Sequence, residues 1–170
     1  MDLKAIDIRD IVLTGLATLA VRAPKRRGAP APELRSGASI RTLLSVEDSP
    51  PNVRLVDQII ARRPDMRLLS ARNGTLGIDL ARAARPDVIL MDINLPGMSG
   101  IKAMQILRAD TATAHIPVVA LSANAIPRDI ERGLEAGFFR YLTKPIKVAE
   151  FMDTLDVALK FAEQETRQSA

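Results

Sequence analysis

Hydrophobic and polar positions from residue 39 onward follow two alternating patterns. Short apolar runs, typical of buried strands, are separated by longer stretches in which apolar residues recur every three or four positions, as in amphipathic helices. The predicted strands are 41–46, 66–71, 87–91, 116–121 and 138–142. Five strands that alternate with five helices predict an α/β fold with a doubly wound parallel sheet.

Capping and turn residues predict where the helices begin and end. Ser49 before Pro50 and Pro51 predicts an N-cap and a proline-led first turn for a helix that continues to about Arg63. The other signals are Asn73 and Ser99 before helices two and three, Arg85-Pro86 after helix two, and Pro127 and Gly137 at the ends of helix four. The last helix carries an apolar stripe that we expect to be chiefly core: Val148, Phe151, Met152, Leu155, Ala158, Leu159 and Ala162.

Polar residues with a common chemistry stand at the ends of four predicted strands. They are Glu47 with Asp48, then Asp92, Ser122 and Lys144. Because the carboxyl ends of parallel strands meet at one edge of a sheet, we expect these side chains to share one cleft. Carboxylate oxygens suit Mg²⁺, and an aspartate can attack phosphorus to form an acyl phosphate. Lys144 and Ser122 could then neutralise and hydrogen-bond the phosphoryl oxygens. The pattern predicts a cleft for a divalent cation and a phosphoryl group.

Composition and charge narrow the class of protein. A chain of 170 residues with 47% hydrophobic and 26% charged residues predicts one globular domain. The absence of cysteine excludes a disulfide framework and a thiolate metal site, and we expect a cytoplasmic protein. Of the net charge of +4, the first 38 residues supply most, with seven Lys/Arg against four Asp/Glu. The rest is nearly neutral, so nucleic-acid binding is not expected.

The first 38 residues differ from the remainder and are interpreted as a flexible extension. Residues 11–21 are uncharged, but this stretch is too short to span a bilayer, and the acidic residues before it do not fit a signal peptide. Residues 22–32 are rich in Pro and Arg, as in linkers. A helix that docks on a partner or a membrane surface, and a misassigned start, are the alternatives. We expect a domain over 39–165 and a tail over 166–170.

Four segments together resemble the receiver domain of two-component response regulators. They are LLSVEDSP (43–50), ILMDINLPGMSG (89–100), IPVVALSANA (116–125) and YLTKPI (141–146). The resemblance covers residues 41–160, about 120 of 170. It implies a flavodoxin-like sheet in the order 2-1-3-4-5. The sequence departs from the commoner pattern of the family in having Glu47 rather than Asp and Ser122 rather than Thr.

The resemblance also implies partners and a metal site. Asp92 would accept a phosphoryl group from the phosphohistidine of a histidine kinase or a histidine phosphotransfer protein. Mg²⁺ would be bound directly by Asp48 and Asp92, through water by Glu47, and by the backbone carbonyl of Asn94. Such a protein promotes its own phosphorylation and dephosphorylation but is not an enzyme in the ordinary sense.

A switch is implied as well. Ser122 and Lys144 would contact the phosphoryl group, the Lys144-Pro145 peptide would be cis, and Tyr141 would change rotamer together with the Ser122 loop. Phosphorylation would then alter the surface of helix four, strand five and helix five, and so change the binding of a downstream protein target. Only eight residues follow Ala162, so we expect a stand-alone relay or binding switch, or a receiver derived from a hybrid kinase.

Two other functions remain open. A phosphohydrolase that forms an aspartyl-phosphate intermediate typically has a second Asp two residues after its nucleophile, and Asn94 stands there. A receiver-like scaffold that never takes up phosphate is the other alternative, which the complete acidic site disfavours.

Overall fold

Five parallel strands form one sheet in the computed structural model, which describes residues 40–123 and 126–168. The strands are β1 (Arg41–Val46), β2 (Met66–Ala71), β3 (Val88–Asp92), β4 (Val118–Ser122) and β5 (Arg140–Thr143). Their order is β2-β1-β3-β4-β5. The predicted flavodoxin-like fold and strand order are therefore confirmed. The extension predicted over residues 1–38 lies outside the described residues.

Five helices cover the two faces of the sheet. They are α1 (Pro50–Ile60), α2 (Gly74–Ala84), α3 (Gly100–Ala109), α4 (Pro127–Glu135) and α5 (Val148–Gln168). Leu44 and Val46 of β1 belong to a core cluster with residues of α2 and α3, whereas Leu43 belongs to a second cluster with residues of α1 and α5. The central strands are buried on both sides, which explains their nearly continuous apolar sequence.

Strands β3, β4 and β5 end one residue later than predicted. The ladder pairs Asp92 with Leu121 and Ser122 with Thr143, so backbone pairing between strands extends to the polar residues themselves. At the other end, the Phe138 N–H donates to the Gly133 carbonyl at 3.3 Å and closes the turn after α4. The chemistry-bearing residues Asp92 and Ser122 therefore lie on the rigid ends of strands rather than in the loops beyond them.

The start of α1 differs from the prediction. Ser49 occupies the N-cap position, but its side chain makes no capping hydrogen bond. An N-cap side chain normally accepts from the N–H of the second or third helical residue. Pro51, the second, has no N–H, and Ser49 does not accept from the third, Asn52. Helix α1 also ends at Ile60 rather than Arg63. The predicted caps Asn73 and Ser99 are confirmed, since their side chains accept from Leu76 N at 2.9 Å and Lys102 N at 3.2 Å.

Helix α5 carries the predicted apolar stripe with one exception. Phe151, Leu155, Ala158 and Leu159 are buried, but Val148 is 49% exposed, so its prediction as core is wrong. Val148 is the first residue of the helix and precedes the turn that reaches the sheet. The helix also continues to Gln168, past the domain end predicted at residue 165. None of the helices in residues 40–123 and 126–168 combines the length and the hydrophobicity that a membrane span requires.

Two arginines connect α5 to the edge of the sheet opposite the predicted cleft. Arg63 donates to Asp156 of α5 at 2.9 Å and also to Asp65 just before β2. Arg41 of β1 pairs with Asp87 at 2.8 Å and with Glu163 of α5. These pairs orient the second half of α5, while the stabilisation comes chiefly from the buried stripe, since partly exposed ion pairs contribute little.

The Arg63 pair generates a prediction about acid stability. Hydrogen bonds from Arg63 lower the pKa of Asp65 below its ordinary value of 3.8. A depressed folded-state pKa gives stability that is fully present above 3.8 and is lost as pH falls through the folded value. Asp65→Asn should therefore lower the unfolding free energy at neutral pH, and the deficit should shrink in acid. Urea unfolding at several pH values measures it, with exposed Asp57→Asn as control. A deficit independent of pH contradicts the assignment.

A second prediction concerns a buried hydroxyl in β1. Among the described side chains, Ser45 is 1% exposed and its Oγ has no hydrogen-bond partner. A buried polar group without a partner costs about 1–3 kcal/mol. Ser45→Ala should therefore raise the free energy of unfolding by about 1 kcal/mol, measured by urea denaturation. Its exposed neighbour in the ladder, Ser70, provides the control, because Ser70→Ala should change little. Equal effects of the two changes would refute this account of Ser45.

Candidate functional site

The structure brings the predicted polar residues to one edge of the sheet. Glu47 follows β1, Asp92 and Ser122 end β3 and β4, and Lys144 follows β5. Parallel pairing of these strands in the order β1-β3-β4-β5 places their carboxyl ends side by side. Residues from four separate parts of the chain thereby share one small acidic cleft.

The Asp92 carboxylate is buried, and donors hold both of its oxygens. Its side chain is 2% exposed. One oxygen, Oδ2, lies 2.6 Å from Lys144 Nζ, and the other, Oδ1, accepts the Asn94 N–H at 2.9 Å. The second contact turns the loop after β3 back onto the carboxylate. Both oxygens of Asp92 are thus held in place by donors.

Glu47 is equally buried and accepts three hydrogen bonds. Oε1 accepts the Ser49 N–H at 3.0 Å, while Oε2 accepts from Asn52 Nδ2 at 3.1 Å and lies 3.0 Å from Lys144 Nζ. Asp48, the next residue, is exposed. Carboxylate oxygens of Glu47, Asp48 and Asp92 all lie within 4.8 Å of one another. Clustered hard oxygen ligands beside open solvent fit Mg²⁺, which keeps several waters and takes few protein ligands.

Lys144 forms the cationic centre of the cleft. Burial lowers the pKa of its ammonium, but hydrogen bonds to Asp92 and then Glu47 raise it by more, so the pKa lies above its ordinary value. Lys144 therefore carries its charge at neutral pH. Its backbone N–H donates to the Ser122 carbonyl at 2.7 Å, and the Lys144-Pro145 peptide is cis, as predicted.

Ser122 and Tyr141 lie on neighbouring strands. Ser122 is buried at the end of β4 and is followed by exposed Ala123. Tyr141 of β5 pairs with Ala120, two residues before Ser122 and therefore on the same face of the sheet. A Cβ at Gly133 of α4 would lie 2.9 Å from Tyr141 Cε2, so the absence of a side chain there makes room for the ring. The two residues predicted to form a switch thus share one face of the sheet next to α4.

Sequence reasoning missed two residues that shape the site. Asn52 contacts Glu47, and its position in the first turn of a helix that begins next to the acidic pair is the signal that could have revealed it. Gly100 begins α3 directly against the end of β3, the strand that carries Asp92. A Cβ at Gly100 would lie 2.2 Å from the Asp92 carbonyl oxygen, so no larger residue fits without moving the backbone that carries Asp92.

Comparison with known proteins agrees with this geometry. The sequence profile of the response regulator receiver domain family matches residues 43–156. The chain therefore belongs to the response regulator receiver domain family of two-component signalling. It is 39% identical over 115 residues to the polar-differentiation response regulator DivK of Brucella anthropi, covering 68% of this chain and 93% of the relative.

Solved structures give the same result. The receiver domain of a sensor histidine kinase from Pseudomonas aeruginosa PAO1, solved with a magnesium ion in its active-site cleft, is 34% identical with a TM-score of 0.65, covering 71% of this chain and 98% of that one. The chemotaxis protein CheY4 of Vibrio cholerae is 25% identical with a TM-score of 0.67, covering 71% and 100%. The chain is thus similar both to a chemotaxis protein and to the receiver domain of a sensor histidine kinase.

The close approach of Gly100 can be tested by adding a single methyl group. Gly100→Ala should lower the unfolding free energy by about 3 kcal/mol, because the new Cβ meets backbone that cannot move aside easily. Gly97→Ala is the matched control: its φ of +77° strains any side chain, but nothing lies within 4 Å of the added Cβ. That change should cost about 1 kcal/mol. Urea denaturation measures both, and a Gly100→Ala variant as stable as Gly97→Ala would refute the close approach.

Proposed function

We propose that this chain is the phosphoacceptor receiver of a two-component phosphorelay, with Asp92 as the phosphorylated residue. The observation that supports this best is the contact of buried Asp92 with Lys144 at 2.6 Å, next to the carboxylates of Glu47 and Asp48. The family to which the chain belongs gives the proposal its chemical context. The donor would be the phosphohistidine of a histidine kinase or a histidine phosphotransfer protein.

The proposed transfer balances without a further reactant. A carboxylate oxygen of Asp92 attacks phosphorus, the P–N bond to the partner's imidazole breaks, and the electron pair of that bond remains on the leaving nitrogen. Such a transfer depends more on in-line positioning and charge neutralisation than on proton transfer. The hydrogen bond from Asn94 N to Asp92 Oδ1 and the ammonium on Oδ2 fix the carboxylate for that attack.

The acidic cluster is the proposed binding site for Mg²⁺. Glu47, Asp48, Asp92 and the Asn94 carbonyl would hold Mg²⁺, as the oxygen-rich donor set suits that ion. When bound, Mg²⁺ supplies positive charge that offsets the negative oxygens of the transferred group. The magnesium ion in the similar Pseudomonas aeruginosa receiver is consistent with this assignment.

Lys144 and Ser122 would contact the phosphoryl group once it is attached to Asp92. The Lys144 ammonium, already in contact with Asp92, would neutralise a phosphoryl oxygen, and the hydroxyl of buried Ser122 would donate to another. Movement of Ser122 toward that group would free space on the face it shares with Tyr141 and let the ring turn. The resulting change next to α4 would alter the surface offered to a downstream protein target.

The proposed function requires two protein partners, one that donates the phosphoryl group and one that responds to the phosphorylated form. It requires no nucleic-acid contact by the described residues. It also places the exchange in the cytoplasm, as the sequence leads us to expect. The chain would not be an enzyme in the ordinary sense, because the group that it activates becomes attached to itself.

Replacement of the phosphoacceptor tests the proposal directly. Wild-type protein with Mg²⁺ and radiolabelled acetyl phosphate should take up label, and an excess of chelator should abolish the uptake. Asp92→Asn should take up none, since an amide oxygen is too poor a nucleophile to form the acyl phosphate. Asp79→Asn, which alters an exposed acid on α2, should be labelled like the wild type.

Other outcomes separate the alternatives. A folded Asp92→Asn protein that still takes label would exclude Asp92 as the acceptor. A wild-type protein that neither binds Mg²⁺ nor takes label from acetyl phosphate or histidine kinases would be a receiver-like scaffold. Continuous hydrolysis of small phosphomonoesters by the wild type would instead indicate a phosphohydrolase.

A further inference from the structure

The side-chain amide of Asn52 is an uncharged donor to the buried Glu47 carboxylate. Asn52 lies in the first turn of α1 and is half-buried. Its Nδ2 lies 3.1 Å from Glu47 Oε2, the same oxygen that Lys144 Nζ approaches at 3.0 Å. One carboxylate oxygen is therefore shared between a neutral donor and a cationic one.

The backbone of α1 explains why a side chain is needed there. A helix normally presents four unpaired N–H groups at its start, and they stabilise nearby anions. Helix α1 begins with Pro50 and Pro51, which have no N–H. Ser49 N contributes one hydrogen bond, to Glu47 Oε1. Asn52 Nδ2 supplies a donor to the other oxygen at the start of a helix whose first two residues have no N–H.

The Asn52 donor matters because Lys144 has more than one partner. Lys144 Nζ already contacts both Asp92 Oδ2 and Glu47 Oε2. If Lys144 turns to a phosphoryl oxygen on Asp92, as the proposed function requires, Glu47 Oε2 loses its cation. A carboxylate that is 2% exposed cannot replace that partner with water at little cost. Asn52 is then the donor that remains on Oε2.

We propose that Asn52 is a positioning residue: it fixes the Glu47 carboxylate for the divalent cation and keeps it in place when Lys144 turns toward the phosphoryl group. The inference rests on the proposed function, since it assigns Glu47 to the cation site. Asn52 acts through Glu47 and contacts neither the attacking atom nor the leaving group.

The affinity of the protein for Mg²⁺ alone, without phosphodonor, tests this role. Mg²⁺ is titrated into ¹⁵N-labelled full-length protein, and backbone amide shifts around Asp92 give Kd. Asn52→Leu keeps the approximate shape and removes the donor, and it should raise Kd about tenfold, the effect typical of losing an outer-sphere partner. Asn52→Ala, which suits a helix better, should do the same. Gln58→Ala removes an exposed amide from the same helix and should leave Kd unchanged.

A double-mutant cycle separates this role from a general loss of structure. In a Glu47→Ala background, Asn52→Leu should change Kd by no more than about twofold, because its only route to the cation is gone. A tenfold effect that persists without Glu47 would overturn the proposal, and so would a wild-type Kd in both Asn52 variants. If the wild type itself neither binds Mg²⁺ nor accepts phosphate, the proposed function fails instead, which is a distinct result.

Discussion

The ammonium of Lys144 between two buried carboxylates is the interaction on which the site depends. Glu47 and Asp92 are each 2% exposed, and two unpaired charges buried so closely would be strongly unfavourable. One ammonium touches both at 3.0 Å and 2.6 Å. With Asp48 nearby, three carboxylates cluster around the one ammonium that the described residues place against them, so the cleft keeps an excess of negative charge. That excess is what a divalent cation would neutralise.

The rest of the fold keeps this arrangement rigid. Asp92 ends a strand that is buried on both faces and paired on both sides, so the carboxylate has little freedom to drift. Helix α3 begins so close to it that the first helical residue has to be glycine. A site built on strand ends and supported by close backbone packing is positioned more accurately than one built on loops. The ion pairs of Arg41 and Arg63 lie at the opposite edge of the sheet, away from the cleft.

Local signals in the chain predicted much of this correctly. Asn73 and Ser99 act as caps because each is followed by helical residues with free N–H groups. Ser49 has the same chemistry and position but makes no capping hydrogen bond, so the residue type at the N-cap does not by itself decide whether a side-chain cap forms. Val148 fits the apolar period of α5 but stands at its exposed first turn. Periodicity identifies a face of a helix, and only packing decides how far along the helix that face is covered.

The sequence alone determined the kinds of element, their order along the chain, and the set of side chains available for chemistry, because these depend on residue preferences over a few neighbouring positions. The motifs in the sequence were also enough to identify the receiver family. The tertiary structure decided which atoms meet. Lys144 contacts Asp92, 52 residues away in the chain, and Asn52 and Lys144 both contact the same oxygen of Glu47. Such contacts depend on strand register and on where a helix begins relative to the sheet. Contact distances such as 2.6 Å and 3.0 Å between groups far apart in the chain are set by the packing of the whole domain, which no local pattern encodes.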